Sequence, residues 1–291
     1  MTLRFLIADS EPVDARAERR ASVGQSAGES FAAFLRSLEP EAETKLTTPA
    51  DRESLLLSRE ALAAFDGVVL TGSPLHVYDG SAASEREIAF MRAVFASGTP
   101  SFGSCAGLQV AVTAAGGTVA PMRRRREAGF ARGIAPTDEG RGHPLLRGRP
   151  PAYDALTIHG DEVTALPAGA TLLAGNAAVA VQAAEIRHED GVFWGVQYHP
   201  ELTLHEIAAA LRRDADALIE AGLARAPDAI GDQADLLDAL DREPERVDLA
   251  WRLGVDAQIT DAGSRHREVR NWIDHLVRPA ARERGRLVVA A

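Results

Sequence analysis

Three short apolar runs, "RFLIA" (4–8), "DGVVLTG" (66–72) and "TPSFGS" (99–104), are separated by helix-forming segments. Runs this short and this apolar read as strands buried on both faces, and their alternation with helices predicts a parallel sheet covered on two sides. Helices are expected from about Glu29 to Leu38, from a capping box at Ser84 and Glu87 to about Ala96, and from about Ala106 to Ala115. From about Gly117 to Val196 the pattern changes to β-rich runs ("ATLLAGN", "VAVQAAEIR", "GVFWGVQYH") broken by Gly, Pro and Asp. These predict largely antiparallel strands added to the parallel core. Thr203 and Glu206 form a second candidate capping box, opening a helix in "LHEIAAALRRDADALIEAG".

Residues 222–291 change character again. They carry 11 Arg against 13 Asp or Glu, so this region is no basic arm. Val269, Trp272, Ile273, Leu276 and Val277 fall at helical spacing and make one apolar stripe. The expected organisation is an α/β domain over 1–221 and a C-terminal helical appendage over 222–291, whose apolar stripe covers either the core or a partner surface.

The charge balance narrows the function. A net charge of −10 argues against nucleic-acid or anionic-membrane binding. Lys45 is the only lysine, so a lysine-based mechanism elsewhere is excluded. One cysteine forms neither an intramolecular disulfide nor a multi-cysteine zinc site, and the eight histidines contain no HExxH pair. Phosphate-loop and dinucleotide fingerprints are absent, so no metal and no cofactor is expected. The apolar run in "MTLRFLIADSEP" is too short for a signal peptide or a membrane span, and a cytoplasmic location is the expectation.

The single cysteine sits in "FGSCAGLQV" (102–110), with glycine two positions before it and two after. Strand, sharp turn and helix are predicted around Cys105, which is the architecture that projects a nucleophile from the end of a sheet. A free cysteine is also, commonly, a small buried hydrophobe. The chemistry needs a base, and "WGVQYHPEL" (194–202) offers His199 with Glu201 two residues on, the same face of an extended chain. An imidazole held by a carboxylate accepts a thiol proton, as in cysteine and serine acyl transfer. The oxyanion of such a reaction needs N–H donors. Ala106, just after the elbow, and Ser73, in the turn after "VVLTG", are the candidates.

These segments occur together in a recognisable order. "VVLTGSP", "FGSCAGLQVAVTAAGG", "REAGFARGI", "GHPLLRG", "IHGDEVTALPAGATLLAGN", "VQAAEIR" and "FWGVQYHPEL" resemble the triad-type class I glutamine amidotransferases, closest in pattern to the glutaminase domain of GMP synthase, over about residues 3–215. The resemblance implies a flavodoxin-like, doubly wound sheet. It implies Cys105 as nucleophile on the glutamine side-chain amide, His199 as base and Glu201 as its orienting carboxylate. It implies an oxyanion hole from the backbone of Ser73 and Ala106. Gly72, Gln109, His159, Gly160 and Asp161 match the family's substrate contacts. Two departures stand out: Gly72-Ser73 where two glycines are common, and Ala106 where a bulkier residue is common. "MRRRRE" (122–127) is more basic than the family pattern and reads first as a solvated or salt-bridged edge.

No SGG-type phosphate loop occurs and the last 70 residues are too few to hold an ATP-pyrophosphatase domain, so a complete GMP synthase is not expected. Three readings of its function follow: a stand-alone glutaminase feeding ammonia to a separate synthetase, a hydrolase of a γ-glutamyl amide or peptide, and a silent protein that keeps the fold. The partners expected are glutamine or a γ-glutamyl compound, an ammonia-accepting synthetase in the first case, and a second copy of the chain.

Overall fold

A computed structural model describes residues 2–123 and 126–285. The strands are β1 (Arg4–Ala8), β2 (Glu43–Thr47), β3 (Gly67–Leu70), β4 (Ser101–Ser104), β5 (Thr118–Pro121), β6 (Glu127–Pro136), β7 (Tyr153–His159), β8 (Asp161–Ala165), β9 (Ala170–Gly175), β10 (Ala183–His188) and β11 (Gly191–Val196). The helices of the first half are α1 (Val13–Val23), α2 (Ala27–Leu38), α3 (Arg59–Ala63), α4 (Ala82–Ser97), α5 (Ala106–Ala114) and α6 (Asp138–Gly142). Among the described residues one sheet has the strand order β2-β1-β3-β4-β11-β10-β9-β6-β7, and β5 pairs with β8 apart from it. β2, β1, β3, β4 and β11 run parallel. β10, β9, β6 and β7 extend the sheet with antiparallel pairs. This is the α/β class and the antiparallel addition that the runs predict.

Alternation along the strands divides the core into two layers. Phe5, Ile7, Val69, Phe102 and Val196 face one side with Phe31, Ala32 and Leu35 of α2. Leu6, Ala8, Val68, Leu70 and Phe193 face the other with Met91, Val94 and Phe95 of α4 and Leu108 and Val112 of α5.

The second half is helical: α7 (Leu204–Arg213), α8 (Ala215–Glu220), α9 (Pro227–Arg242), α10 (Val247–Leu253), α11 (Ala257–Thr260), α12 (Ala262–Arg265), α13 (Arg267–Trp272), a π-helical turn at Ile273–Val277, and α14 (Arg278–Glu283). Helices α7 to α11 bury Ile207, Leu211, Ile230, Leu237, Leu249 and Ile259 against Leu156 of β7. The expected apolar stripe then returns to the sheet. Val269, Trp272, Ile273 and Val277 join the layer of Phe5 and Phe102, with Leu276 packed at its margin. The Trp272 ring centroid lies 5.7 Å from that of Phe5 and 5.8 Å from that of Phe102. Gly67 leaves it room, since a Cβ there would stand 2.7 Å from Trp272 Cη2.

Two local expectations are corrected. The cap of α4 is Ser81, whose side chain accepts from the Ser84 N–H, so Ser84 lies inside the helix. Asp79 holds this start, its Oδ1 accepting from the Ser81 N–H at 2.7 Å, and Glu87 is instead buried with Ser10 Oγ donating to its Oε2 at 3.1 Å. The long helix expected after Thr203 is two helices, with Asp214 between them. The Thr203–Glu206 box itself is formed, as is one at Ser26–Glu29.

Candidate active site

The turn after β4 places Cys105 at φ 52° and ψ −110°, a left-handed backbone in a residue with a Cβ. Such a conformation costs about 1–3 kcal/mol and persists where surroundings enforce it. Here the Cys105 N–H donates to Val196 O at 2.9 Å, tying the elbow to the end of β11. The flanking glycines explain the packing. A Cβ on Gly103 would stand 2.8 Å from the Gly107 carbonyl carbon, and one on Gly107 would stand 2.5 Å from Leu70 O. Strand β4, helix α5 and strand β3 therefore approach as closely as they do only without side chains at those positions. The thiol stands at the start of α5, where the aligned peptide dipoles favour negative charge.

His199 lies beyond the end of β11, and its backbone N–H donates to Leu156 O at 2.8 Å. Its Nδ1 stands 2.7 Å from Glu201 Oε1. The strand ends at Val196 and residues 200 and 201 lie in a turn, so the pair is not set by strand alternation as expected. Ser104, the last residue of β4, donates from Oγ to the same Glu201 Oε1 at 2.7 Å. The Glu201 Oε2 is buried with no hydrogen-bond partner among the described residues.

Cys105 Sγ stands 3.8 Å from Ile158 O. The imidazole is within its reach as well. Burial pulls the His199 ring down, but the Glu201 carboxylate and the Cys105 side chain outweigh it and lift the ring to about 10. Cys105, His199 and Glu201, the three residues singled out in the sequence, thus lie together in the structure. Gly72 abuts them: a Cβ there would stand 2.8 Å from His199 Cε1.

A cleft of about 420 Å³ opens over this group. Its lining includes Gly72, Ser73, Gln109, His159, Gly160 and Asp161, so every expected substrate contact faces one space with the three central residues. Ala106 begins α5, and the first N–H groups of a helix have no partner within it. The side chains of three contacts are already engaged. Gln109 Nε2 donates to Asp161 O at 3.4 Å and to Gln197 Oε1 at 3.3 Å. His159 Nε2 meets Glu127 Oε2 at 3.1 Å and its Nδ1 meets Asp161 O at 2.9 Å. Asp161 Oδ2 meets His76 Nδ1 at 2.6 Å and Tyr78 donates to Oδ1 at 2.8 Å. Burial and the Asp161 carboxylate push the Tyr78 phenol up.

Ser104, Glu127, His76 and Tyr78 are the residues sequence reasoning missed. Glu127 was inside "REAGF" and Ser104 beside the cysteine, but neither position signals its partner. Arg126 lines the cleft next to Gly160, whose Cβ would stand 2.8 Å from its Nε. Arg124 and Arg125 of the basic run lie outside the described residues. Among the described residues no cluster of His, Cys, Asp and Glu fits a metal ion, and no helix is long and apolar enough to cross a membrane.

Comparison with known proteins follows the same lines. Residues 23–215 match the family model of glutamine amidotransferase class-I. A gamma-glutamyl-L-1-hydroxyisopropylamide hydrolase from a Pseudomonas species is 37% identical over 287 residues, 97% of this chain and 96% of that protein. A glutamine-hydrolyzing GMP synthase from Thiobacillus denitrificans is 35% identical over 147 residues, but these are 47% of this chain and only 26% of the synthase. In structure, a glutamine amidotransferase from Thermotoga maritima matches 95% of this chain and 99% of its own with a TM-score of 0.62 at 17% identity, which shows a shared fold.

Proposed function

The chain belongs to the class I glutamine amidotransferase family, enzymes acting on glutamine or γ-glutamyl amides, and on that premise we propose that it hydrolyses a γ-glutamyl amide to glutamate and an amine without an ammonia-accepting partner. The observation that carries this is the extent of the likeness to the Pseudomonas hydrolase. It spans 97% of this chain, whereas the GMP synthase match stops at 47%. The matched length therefore runs through the C-terminal helices. We assign residues 1–221 to the amidotransferase domain and 222–291 to a helical extension whose Trp272 is built into the domain's core.

In this mechanism the Cys105 proton has already passed to His199, whose ring the Glu201 carboxylate and the Cys105 side chain lift to about 10, and the thiolate attacks the γ-carbonyl. Nε2 is the nitrogen that receives the proton, because Glu201 holds Nδ1. Apo geometry at such sites tightens when substrate binds. The Ser73 and Ala106 N–H groups receive the oxyanion, each such donor being worth roughly 10²–10³ in rate. His199 then returns the proton to the departing nitrogen, leaving a γ-glutamyl thioester. Water, deprotonated by His199, attacks the thioester and releases glutamate. Gln109 and the backbone at Gly72 and 159–161 hold the glutamyl end.

The test is partner-free hydrolysis of glutamine and of γ-glutamyl N-alkyl amides, followed by glutamate release. An N-alkyl amide should be preferred by about tenfold or more in kcat/KM, a difference of about 1.4 kcal/mol in transition-state binding. Slow turnover confined to glutamine and raised by a synthetase would favour the ammonia-donor reading instead. Loss of turnover in Cys105→Ala tests the nucleophile.

A further inference from the structure

We propose that Ser104 is a positioning residue for the proton-transfer apparatus, acting through Glu201. The inference rests on the reading of Cys105, His199 and Glu201 given above. Ser104 is fully buried at the end of β4, and its hydroxyl donates to Glu201 Oε1 at 2.7 Å. That oxygen is the one that meets His199 Nδ1, also at 2.7 Å. A hydroxyl-to-carboxylate bond of this length falls within the range of charge-assisted bonds, about 2.5–2.7 Å.

The other oxygen of the carboxylate has no partner among the described residues. Glu201 is thus oriented through Oε1 alone, by Ser104 on one side and the imidazole on the other. Without the serine hydroxyl, the only hydrogen bond fixing the carboxylate is the one from the ring it is meant to orient. The carboxylate then rotates more freely, and the imidazole follows. Ser104 also precedes Cys105 in the chain. The same strand end that presents the sulfur therefore aligns the base that serves it, and the Cys105 N–H bond to Val196 O laces the two strands a second time. None of this touches the glutamyl end of the cleft, so binding should be spared.

The experiment is a double-mutant cycle on the full chain: wild type, Ser104→Ala, Glu201→Ala and the two combined. Two rates are read, steady-state kcat and alkylation of the thiol by iodoacetamide. Alkylation reports on one site because Cys105 is the only cysteine, and it stays measurable where turnover is slow. In the wild-type background Ser104→Ala should lower both rates about tenfold with KM changed less than about twofold, the pattern of a lost transition-state interaction. In the Glu201→Ala background the same change should cost less than about twofold, because residues acting through one another are not additive. A full tenfold loss in both backgrounds, or an unchanged kcat in the first, overturns the role. Undiminished activity in Cys105→Ala or Glu201→Ala would overturn the triad itself, a separate result. Thermal melting of all four proteins shows that folded chains are compared.

Discussion

Glu268, on α13 near the C-terminus, accepts a hydrogen bond from Tyr198, the residue before His199, at 3.0 Å. The carboxylate is fully buried and also forms a two-pronged pair with Arg149, Nε to Oε1 at 2.6 Å and Nη2 to Oε2 at 2.8 Å. Tyr153 completes the group, its hydroxyl 2.9 Å from that of Tyr198. Burial and the Glu268 charge push the Tyr198 phenol up, so the ring stays a neutral donor. The C-terminal helices thereby hold the backbone that presents His199.

Removing one member of a buried ion pair leaves the other charged and unpartnered, at a cost of about 3–5 kcal/mol. Glu268→Ala should therefore lower the melting temperature by about 10 °C in a chain of this size class. The loss of stability should exceed that of Tyr198→Phe, which removes one neutral donor at about 1 kcal/mol. Chemical denaturation of the two variants checks the order, and equal stabilities would contradict it.

Trp272 tests the packing of the same region. It is fully buried between Phe5 and Phe102, and its indole Nε1 has no partner among the described residues. Trp272→Ala should cost about 3–5 kcal/mol, the usual figure for emptying a large aromatic site. Trp272→Phe removes the unpartnered N–H with part of the ring and should cost less than half as much. Denaturant midpoints of the two variants decide.

Gly72 gives a prediction in which activity and stability both fall and are measured apart. An alanine Cβ would stand 2.8 Å from His199 Cε1, against a ring whose other side is fixed by Glu201. Displacing a catalytic group by about an ångström costs about 10² in rate. Gly72→Ala should lower kcat/KM by about that factor, while overpacking costs about 1–3 kcal/mol of stability. Kinetics and melting measured on one preparation separate the two effects.

Much of this was legible in the sequence where the signal is local. The strand at Arg4–Ala8, the helix after Cys105 and the Thr203 capping box depend on neighbours within a few residues. The cysteine elbow and the His-Pro-Glu end were legible for the same reason. Ser104 was not, because its partner is 97 residues away and a serine before a cysteine has no pattern of its own. Glu268 was hidden likewise, as only the fold brings it to Tyr198 and Arg149. The Ser84 cap failed against a nearer competitor, Ser81, supported by Asp79. The break at Asp214 lacks a proline or glycine to announce it. Nothing in the strand pattern marked where β11 stops and the turn that joins His199 to Glu201 begins.

The protonation of His199 makes the last prediction. Burial lowers the ring's affinity for a proton, yet the Glu201 carboxylate and the Cys105 side chain raise it to about 10, against an unfolded value of about 6.5. A folded value above the unfolded one means that the native chain holds the proton more tightly. The contribution to stability is then complete below about pH 6.5 and disappears as the pH rises from there toward 10. In Glu201→Gln the principal raising charge is gone and burial dominates, so the ring should be neutral when folded. Its contribution then grows as the pH rises through about 6.5, the opposite slope. Melting temperatures of the two proteins across this window should diverge at low pH and converge at high pH. Parallel curves would mean that the imidazole and Glu201 are not electrostatically joined in the folded chain.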